Sequence, residues 1–528
     1  MRRLRDIIDD VEGTPFMIGA ELVSTRGVLE SKNCQKLVRV GEGLAEWGRV
    51  DWISITDNAG GNPMLAPSIL GKRIQDKNTD VVTHFTCKDR NRNAQESVAW
   101  LYASEGLDNA LCLTGDYPGP GYRGAGSPTF DLDSTTLIRM LADLNSGLHV
   151  PGRKKGSVVK LSSTDFFIGA TVSPFKNNEA ERMGQLLKME LKIENGASFL
   201  VAQVGYDMRK SHELLIYLRK RKYYVPVFGN VFMLNKGVAD LFHKQEIPGC
   251  VVSKKLLEQC VKAADGGDKG VVFFRELAAK QYACFKGMGY RGAYFGGFGN
   301  VDAIKAVVEL AESYAEDDWK LFAKDLIFPE EEEFYLYGRD DETGLSDVEG
   351  RESEEMAAAR HRPERNEITL LYKLNCMIHA AVFDRNGVLY KPMKSYYRFL
   401  EEKMPFLYMI SEWMEGVLKK AMFDCMDCGD CSLDDCYYLC PESKCRKGQR
   451  NGPCGGSRGP LCEVTDVRCI WYRAYHRAKN AGELEGFLKR ELIFRDYDLL
   501  GTSSWGNYFL GRDHAAMRDK DEAGDAAG

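Results

Sequence analysis

Long hydrophobic runs are missing from this sequence. No stretch of it approaches the roughly 18 consecutive apolar residues that a membrane-spanning helix needs. The first residues, MRRLRDIIDDVEG, include basic side chains but are not followed by the apolar segment of a secretory signal. We therefore expect a cytoplasmic protein without a membrane span.

A strong net charge is missing as well. The 71 basic and 77 acidic residues leave a formal charge of −6, so no global field attracts nucleic acid or a membrane surface. Hydrophobic residues make up 44% and charged residues 28% of the chain, which is typical of a folded globular protein. At 528 residues the chain is long enough for two folded units. We therefore expect no nucleic-acid partner.

Internal repeats are also absent, but one alternation of patterns dominates residues 1–315. Eight short β-rich runs alternate with helix-like segments in which apolar residues recur every three or four positions. The runs are FMIGAELVS, DWISIT, VVTHFTC, ALCLTGD, FFIGATVS, FLVAQVGYD, YVPVFGNV and GAYFGGF. This alternation predicts a (β/α)8 TIM barrel of the α/β class. An open doubly wound sheet is the alternative.

The composition changes after the predicted barrel. Residues 316–367 are acid-rich and poor in periodic apolar residues, which predicts an acidic linker. Residues 368–510 contain a second apolar region, and we expect a smaller mixed C-terminal domain there with a cysteine-rich, metal-binding module at 425–469. Residues 511–528 are polar and are predicted to be a disordered tail.

Polar side chains stand where several of the predicted strands end. In (β/α)8 barrels the ligand site lies at the carboxyl ends of the strands. The residues at these ends are Glu21, Thr56, His84, Thr114, Asp116 and Gln203. Each of them alone could be an ordinary structural residue. Their convergence from several strands predicts a ligand site.

Four segments of this region occur in a recognisable order. They read THFTCKDRNRN, GLDNALCLTGDYP, FDLDS and NGASFLVAQVGYD. In order and spacing they resemble the methylenetetrahydrofolate reductase family, over most of residues 10–310. The resemblance implies a barrel that carries a flavin, FAD or FMN, and interconverts 5,10-methylene- and 5-methyltetrahydrofolate. In such an enzyme the flavin N5 passes a hydride to the one-carbon unit.

The resemblance also implies roles for individual residues. Glu21 matches the acid that protonates the pterin, and its apolar neighbours favour a raised pKa. Asp116 matches an aspartate between flavin and pterin, and Gln203 matches a glutamine that binds substrate. The positions that would contact the flavin are Thr56, His84, Thr114, Asp116 and Lys192.

Cysteine is scarce outside one segment. Nine of the 16 cysteines fall between Cys425 and Cys469, and such clustering indicates metal binding rather than disulfides. The cluster begins with Cys425, Cys428 and Cys431 at two-residue spacing, and a Cys-Pro step follows at Cys440. This pattern is typical of [4Fe–4S] ligands, but four-cysteine zinc sites use the same pairs. Spacing alone does not separate the two metals.

The run CPESKCRKGQRNGPCGGSRGPLCEVTDVRCIWYRAY resembles the cysteine-rich C-terminal domain or subunit of methylenetetrahydrofolate reductases from acetogens, over about residues 420–480. The resemblance implies that iron–sulfur clusters deliver electrons to the flavin. Eight cysteines would fill two four-ligand sites, with Cys436 left out. The eight are Cys425, Cys428, Cys431, Cys440, Cys445, Cys454, Cys462 and Cys469.

Basic residues surround these cysteines and outnumber the nearby acids. They are Lys444, Arg446, Lys447, Arg450, Arg458, Arg468, Arg473 and Arg477. A basic face would suit an acidic electron carrier, such as ferredoxin or an iron–sulfur partner subunit, in an oligomer or larger complex. An ordinary solvated surface is the alternative.

Three hypotheses follow from the sequence. In the first, a flavin-dependent reductase acts on a methylene-pterin and receives its electrons through iron–sulfur clusters. In the second, the same barrel carries structural zinc and accepts electrons from NAD(P)H or a partner. In the third, a non-catalytic subunit binds folate or assembles with a partner. The presence of Glu21, Asp116 and Gln203 argues against the third.

Overall fold

The computed structural model describes residues 2–154, 156–330, 332–359 and 364–516. By its internal contacts the chain divides into two units. The first contains the chain up to residue 359 together with residues 454–459, and the second contains residues 360–453 and 460–528. None of the helices in the described ranges is both long enough and apolar enough to cross a membrane.

Eight parallel strands close into a barrel in the first unit. In chain order they are β1 (Met17–Leu22), β2 (Trp52–Ile55), β3 (Asp80–Thr86), β4 (Asn109–Leu113), β5 (Phe167–Val172), β6 (Phe199–Ala202), β7 (Val227–Phe232) and β8 (Gly292–Gly296). Each strand pairs with the next, and β8 pairs with β1 to close the ring. The predicted (β/α)8 barrel is confirmed, and the open doubly wound sheet is wrong.

Helices precede, connect and follow these strands. They are α1 (Leu4–Asp9), α2 (Lys32–Trp47), α3 (Pro67–Gln75), α4 (Arg92–Ser104), α5 (Ser134–Ser146), α6 (Glu179–Glu194), α7 (Met208–Lys220), α8 (Lys236–His243), α9 (Lys254–Ala264), α10 (Val271–Met288), α11 (Val301–Glu312), α12 (Asp318–Asp325) and α13 (Glu354–Ala359). Many begin where a short polar side chain accepts a backbone N–H, which fixes the start of the helix. Asp133 before α5 and Asp207 before α7 are examples.

Large apolar side chains fill the barrel toward the amino ends of its strands. Successive strand residues alternate between the two faces, and the inward-facing row forms one buried cluster that includes Trp52, Phe199 and Phe228. Helix α1 closes this end with three buried apolar residues. Gly19 makes room for the Trp52 ring, because a Cβ there would lie 2.4 Å from a ring carbon. We name this cluster the aromatic floor.

The segment 316–367 is not the free linker that its composition predicts. It contains α12 and α13, and Phe334, Tyr335 and Tyr337 between them are buried. The Tyr335 hydroxyl donates to Asp207 at 2.7 Å, and the Tyr337 amide donates to Glu213 at 3.0 Å. A few aromatic anchors therefore fix an otherwise acidic segment, and the boundary between the units falls at residue 359 rather than 315.

The second unit is mainly helical and irregular. Its helices are α14 (Leu370–Ile378), α15 (Tyr390–Lys403), α16 (Pro405–Phe423), α17 (Pro441–Lys444), α18 (Ile470–Ala481) and α19 (Ser504–Leu510). In the predicted disordered tail, Asp513 and His514 are buried, so that prediction is wrong for residues 513–514. Residues 517–528 lie outside the described residues.

Helix α16 reverses the usual distribution of polar and apolar side chains. Its buried positions include Ser411, Glu415 and Lys419, whereas Phe406 and Trp413 are 70% and 68% exposed. The buried polar side chains of α16 are hydrogen-bonded, which offsets the cost of burying them. The Glu415 carboxylate accepts from two serine hydroxyls next to α19, each at 2.6 Å.

We predict that Glu213→Gln strongly destabilises the barrel unit. Arg182 Nη2 lies 2.6 Å from Glu213 Oε2, and both side chains are fully buried. The change leaves the guanidinium without its counter-charge, so the free energy of unfolding should fall by about 3–5 kcal/mol. Urea titrations followed by circular dichroism measure this loss.

The matched control is Glu312→Gln, which removes the partner of Arg49 in an exposed pair. That variant should lose less than about 1 kcal/mol. Similar small losses in both variants would contradict the role given to the buried pair.

Candidate active site

Polar side chains replace the aromatic floor toward the carboxyl ends of the strands. Counting in steps of two along the inward-facing rows reaches Glu21, Thr56, His84 and Gln203. Each of the four lies at or near the carboxyl end of its strand. The structure therefore brings these four sequence-predicted residues to the same end of one barrel.

Glu21 is partly buried in this polar half of the barrel. Tyr294 Oη donates to Glu21 Oε1 at 3.3 Å. Burial raises the pKa of Glu21 from 4.5 to about 7, and the hydrogen bond from Tyr294 opposes part of that rise. A carboxyl with this pKa is partly protonated near neutral pH, so it can give or accept a proton there.

Tyr294 on β8 is the centre of a buried hydrogen-bond network. Its Oη lies 2.5 Å from Ser54 Oγ and 3.3 Å from His84 Nε2. Burial lowers the pKa of His84 to about 4, although the negative charge of Asp57 opposes this. His84 is therefore a neutral imidazole at physiological pH. The network thus joins a neutral His84, the hydroxyls of Tyr294 and Ser54, and the partly protonated Glu21. Each of these groups can donate or accept a hydrogen bond, so the network can hold a proton on Glu21 or release it.

The sequence did not single out Tyr294, although this residue lies in the last predicted strand, GAYFGGF. The signal was available, because a hydroxyl-bearing side chain flanked by small residues at alternate positions faces the barrel interior. It was weak, since tyrosine is common in ordinary strands. The register confirms its place: Tyr294 pairs with Gly19 on β1 and with Asn230 on β7.

Asp116 lies in the loop after β4 and is partly exposed. Its Oδ2 accepts the backbone N–H of Gly60 at 2.8 Å, so the loops after β2 and β4 are tied together. Burial raises the pKa of Cys250 to about 12, and the negative charges of Glu21 and Asp116 add to this. The carboxylates of Glu21 and Asp116 therefore both lie close enough to Cys250 to influence it.

Gln203 and two unpredicted neighbours offer further polar atoms. Gln203 Nε2 lies close to Gly249, where an added Cβ would come within 3.0 Å of it. Asn230 Oδ1 and Ser173 Oγ are buried and have no hydrogen-bond partner in the described part of the chain. Both residues belong to inward-facing rows near the carboxyl ends of β7 and β5. Such unsatisfied atoms fit a polar ligand, such as a flavin or a pterin, at this end of the barrel.

Thr114 and Lys192 are placed differently from the other predicted residues. Thr114 Oγ1 lies 3.4 Å from Ser134 Oγ, at the start of α5. The Lys192 amine donates to the Thr171 carbonyl at 2.7 Å, and burial together with the charge of Lys188 lowers its pKa to about 7. The structure does not bring these two residues into the network around Tyr294.

The first predicted thiol group is assembled around a buried lysine. Lys419 Nζ lies 3.4 Å from Cys431 Sγ and 3.4 Å from Glu415. Burial opposes the charge of Lys419, but Cys431 and Glu415, followed by Cys425 and Cys428, raise its pKa. The thiol of Cys425 is in turn influenced by Cys431 and Cys440. The four cysteines thus share one electrostatic environment.

Cys436 is nearly fully buried, and burial raises its pKa to about 12. The stretch DDCYYLC around it is a series of turns, and Tyr437 and Tyr438 have positive φ angles. The roles of Cys445, Cys454, Cys462 and Cys469 as ligands of a second site stay predictions.

Six of the eight basic residues of this module are buried or paired with acidic side chains, so most of the predicted basic face is not free. Lys447 and Arg450 are buried and pair with Glu463 and Glu442. Arg477 is also buried. Arg468 and Arg473 pair with Glu367 at 2.8 and 2.7 Å, and Lys444 pairs with Asp424. Most of the positive charge is therefore compensated within the second unit.

We predict that Glu21 makes the stability of the barrel unit depend on pH. Its folded pKa of about 7 lies above the ordinary value of 4.5, so between these values the folded protein binds more protons than the unfolded chain. Stability should therefore fall as the pH rises through this window. Glu21→Gln should remove this fall, which urea titrations at pH 5, 6, 7 and 8 would measure.

The control is Glu46→Gln, at a side chain that is 68% exposed. It should keep the wild-type pH dependence. If Glu21→Gln also kept it, Glu21 would not have the raised pKa described here.

Two family descriptions match the chain. Residues 28–272 match "Methylenetetrahydrofolate reductase" and residues 409–498 match "Methylene-tetrahydrofolate reductase C terminal". Methylenetetrahydrofolate reductase 1 from Schizosaccharomyces pombe is 21% identical over 285 residues, which is 53% of this chain and 43% of that protein. The chain thus spans less than half of the length of this curated relative.

Solved structures with similarity to the chain include an uncharacterized protein from Clostridium thermocellum that binds two copies of 5-methyl-5,6,7,8-tetrahydrofolic acid. It is 13% identical with a TM-score of 0.41, over 58% of this chain and 97% of that one. An oxaloacetate acetylhydrolase is 12% identical with a TM-score of 0.31, over 55% of this chain and 78% of that one. From the two family matches, the chain belongs to the methylenetetrahydrofolate reductase family, with a reductase domain followed by the family's C-terminal domain.

Proposed function

We propose that this protein reduces 5,10-methylenetetrahydrofolate, or a related methylene-pterin, to the 5-methyl form. The observation that carries the proposal is Glu21. It is a carboxyl with a pKa of about 7 at the polar end of the barrel, hydrogen-bonded by Tyr294. Opening the five-membered ring of the substrate requires a proton at the pterin, and a group with this pKa can supply one near neutral pH.

Burial, not hydrogen bonding, keeps that proton on Glu21. The Tyr294 hydroxyl, which also contacts Ser54 and His84, donates to Glu21 and opposes part of the rise in its pKa. Because His84 is neutral at physiological pH, it adds no positive charge that would lower the pKa of Glu21 further. Glu21 therefore stays partly protonated near neutral pH.

Other residues would hold the substrate and a flavin. The Gln203 amide can donate and accept hydrogen bonds to the pterin, and Asp116 places a negative charge at the same end of the barrel. The residues that would hold a flavin are Thr56, His84, Thr114, Asp116 and Lys192. When bound, a flavin would supply the hydride.

We further propose that the cysteine module holds [4Fe–4S] clusters and serves electron delivery from a carrier protein. Cys425, Cys428, Cys431 and Cys440 share one environment, and Lys419 supplies a buried positive charge beside them. Three cysteines at two-residue spacing followed by a Cys-Pro step favour [4Fe–4S] ligation, and structural zinc is the competing proposal.

We predict that Glu21→Gln keeps the flavin but loses turnover of the methylene substrate. The amide cannot donate the proton that ring opening requires, so the rate should fall at least about 10²-fold. The measurement is anaerobic oxidation of the reduced flavoprotein by 5,10-methylenetetrahydrofolate. Glu46→Gln is the control and should react at the wild-type rate.

An unchanged rate in Glu21→Gln would sink the assignment of the proton donor. Protein that contains no flavin when purified without air would instead support a non-catalytic folate-binding or assembly subunit.

We predict that Cys428→Ser impairs electron delivery from ferredoxin but spares turnover with a reduced viologen. The wild-type chain should contain roughly eight irons if both four-cysteine sites hold cubane clusters. Cys428→Ser should lose about half of that iron, because one ligand of one cluster is removed. Metal analysis of protein purified without air gives these counts.

The matched control is Cys436→Ser, in the same module but outside both predicted ligand sets. It should keep the wild-type iron content. Stoichiometric zinc without iron would overturn the cluster proposal. It would support structural zinc, with NAD(P)H or a partner protein reducing the flavin directly.

A further inference from the structure

A second group of metal-ligating side chains lies in the second unit, and it contains no cysteine. Asp430, Asp513 and His514 each offer a donor atom, and the three atoms lie within 4.8 Å of one another. The side chains are 0%, 2% and 6% exposed. Asp430 lies between Cys428 and Cys431, in a segment that we name the cysteine loop, whereas Asp513 and His514 follow α19.

Each ring nitrogen of His514 faces a carboxylate. Its Nε2 lies 3.0 Å from Asp435 Oδ2, which fixes the ring. Its Nδ1 faces Asp430 Oδ1. Histidines that bind metals usually donate their second N–H to a carboxylate, which fixes the tautomer and orients the ring. Asp435 would take that supporting role.

Asp513 provides the independent observation that a ligand is needed. Its Oδ1 is buried and has no hydrogen-bond partner in the described ranges. Burial raises the pKa of Asp513, and the positive charge of His514 opposes this only in part. A buried carboxylate oxygen without a donor is costly, and a cation would satisfy it.

The charges of the surroundings also favour a cation. Three carboxylates meet here, and Arg490 Nη1 lies 3.5 Å from the one on Asp435. The positive charge of Arg450 also interacts with Asp430, but Arg450 is already paired with Glu442 at 2.6 Å. A metal ion that binds His514 displaces its proton, and three negative charges then face one guanidinium. A divalent cation balances the remaining two.

We propose that Asp430, Asp513 and His514 bind one divalent cation, separate from the thiol sites. Two carboxylates and one imidazole suit Mn²⁺, Fe²⁺ or Zn²⁺ rather than a soft, thiolate-preferring metal. The bound ion ties the cysteine loop at Asp430 to the chain that follows α19. It thereby adds to the stability of the second unit, because binding to the folded state alone stabilises that state.

The competing occupant of this place is a proton. Burial alone lowers the pKa of His514, but its hydrogen bonds to Asp430 and Asp435 raise it to about 9. A protonated His514 would bridge two carboxylates without any metal. In that arrangement Asp513 Oδ1 would still have no partner. A metal titration distinguishes the two occupants, because only the cation site binds a metal ion.

Mn²⁺ is the probe that separates this site from the cysteines, since it prefers oxygen and nitrogen ligands to thiolates. The full chain is purified without air, treated with EDTA and titrated with Mn²⁺, and free Mn²⁺ is measured by electron paramagnetic resonance. We expect one tightly bound Mn²⁺ per chain and a higher thermal unfolding midpoint. Asp513→Asn and His514→Gln should lose this Mn²⁺, whereas Asp498→Asn, at an exposed aspartate, should keep it.

A further variant keeps the proposal testable if the ligand variants fail to fold. Asp435→Asn should weaken Mn²⁺ binding about 10–100-fold, the usual cost of removing the residue that orients a metal-bound histidine. The absence of a tight Mn²⁺ site in the wild-type chain would overturn the proposal in favour of the protonated bridge. Equal Mn²⁺ binding by the wild type and Asp513→Asn would overturn it as well. Iron content, measured in parallel, reports separately on the thiol sites.

Discussion

The packing of aromatic rings in the barrel floor is the constraint on which the candidate active site depends. Trp52 stacks on Tyr294 with ring centroids 5.1 Å apart and planes 11° apart, and it meets Phe228 edge-on at 5.3 Å. These contacts require Gly19, which leaves room for the indole. The ring of Tyr294 packs on Trp52, and its hydroxyl lies between Glu21 and His84. Hydrophobic packing thus sets the geometry of a polar network one layer above it.

The same burial acts in opposite directions on the two titratable groups of that network. Loss of water disfavours whichever form is charged, so the pKa of Glu21 rises to about 7 and that of His84 falls to about 4. At neutral pH the network therefore contains a proton donor and an uncharged imidazole. Were His84 positively charged, it would stabilise the Glu21 carboxylate and lower the pKa that makes Glu21 useful. The acid depends on its neighbour staying neutral.

Much of the barrel could be predicted because period-two strands and their polar ends are local signals. Glu21, Thr56, His84 and Gln203 were found that way. Tyr294 was not, because its role comes from contacts with three other strands that no local pattern contains. The packing of residues 316–367 was missed for a similar reason, since a few aromatic anchors decide it while the acidic residues dominate the composition. Lys192 shows the reverse case: the family resemblance implied a flavin contact, yet its amine donates to a strand carbonyl.

One helix of the second unit differs from those of the barrel. Helix α16 buries Glu415 and Lys419 and exposes apolar side chains, so polar contacts hold the face that this helix buries, whereas aromatic side chains such as Trp471 and Phe509 are buried elsewhere in the unit. A buried ammonium is costly unless it is paired, and Lys419 finds its partners in Glu415 and the thiol of Cys431. A thiolate, the form of cysteine that binds metal, would give this ammonium a further counter-charge. Asp430, one residue before Cys431, faces His514. With the proposed metal sites, folding of this unit and metal binding would be coupled, because each would supply charges that the other requires.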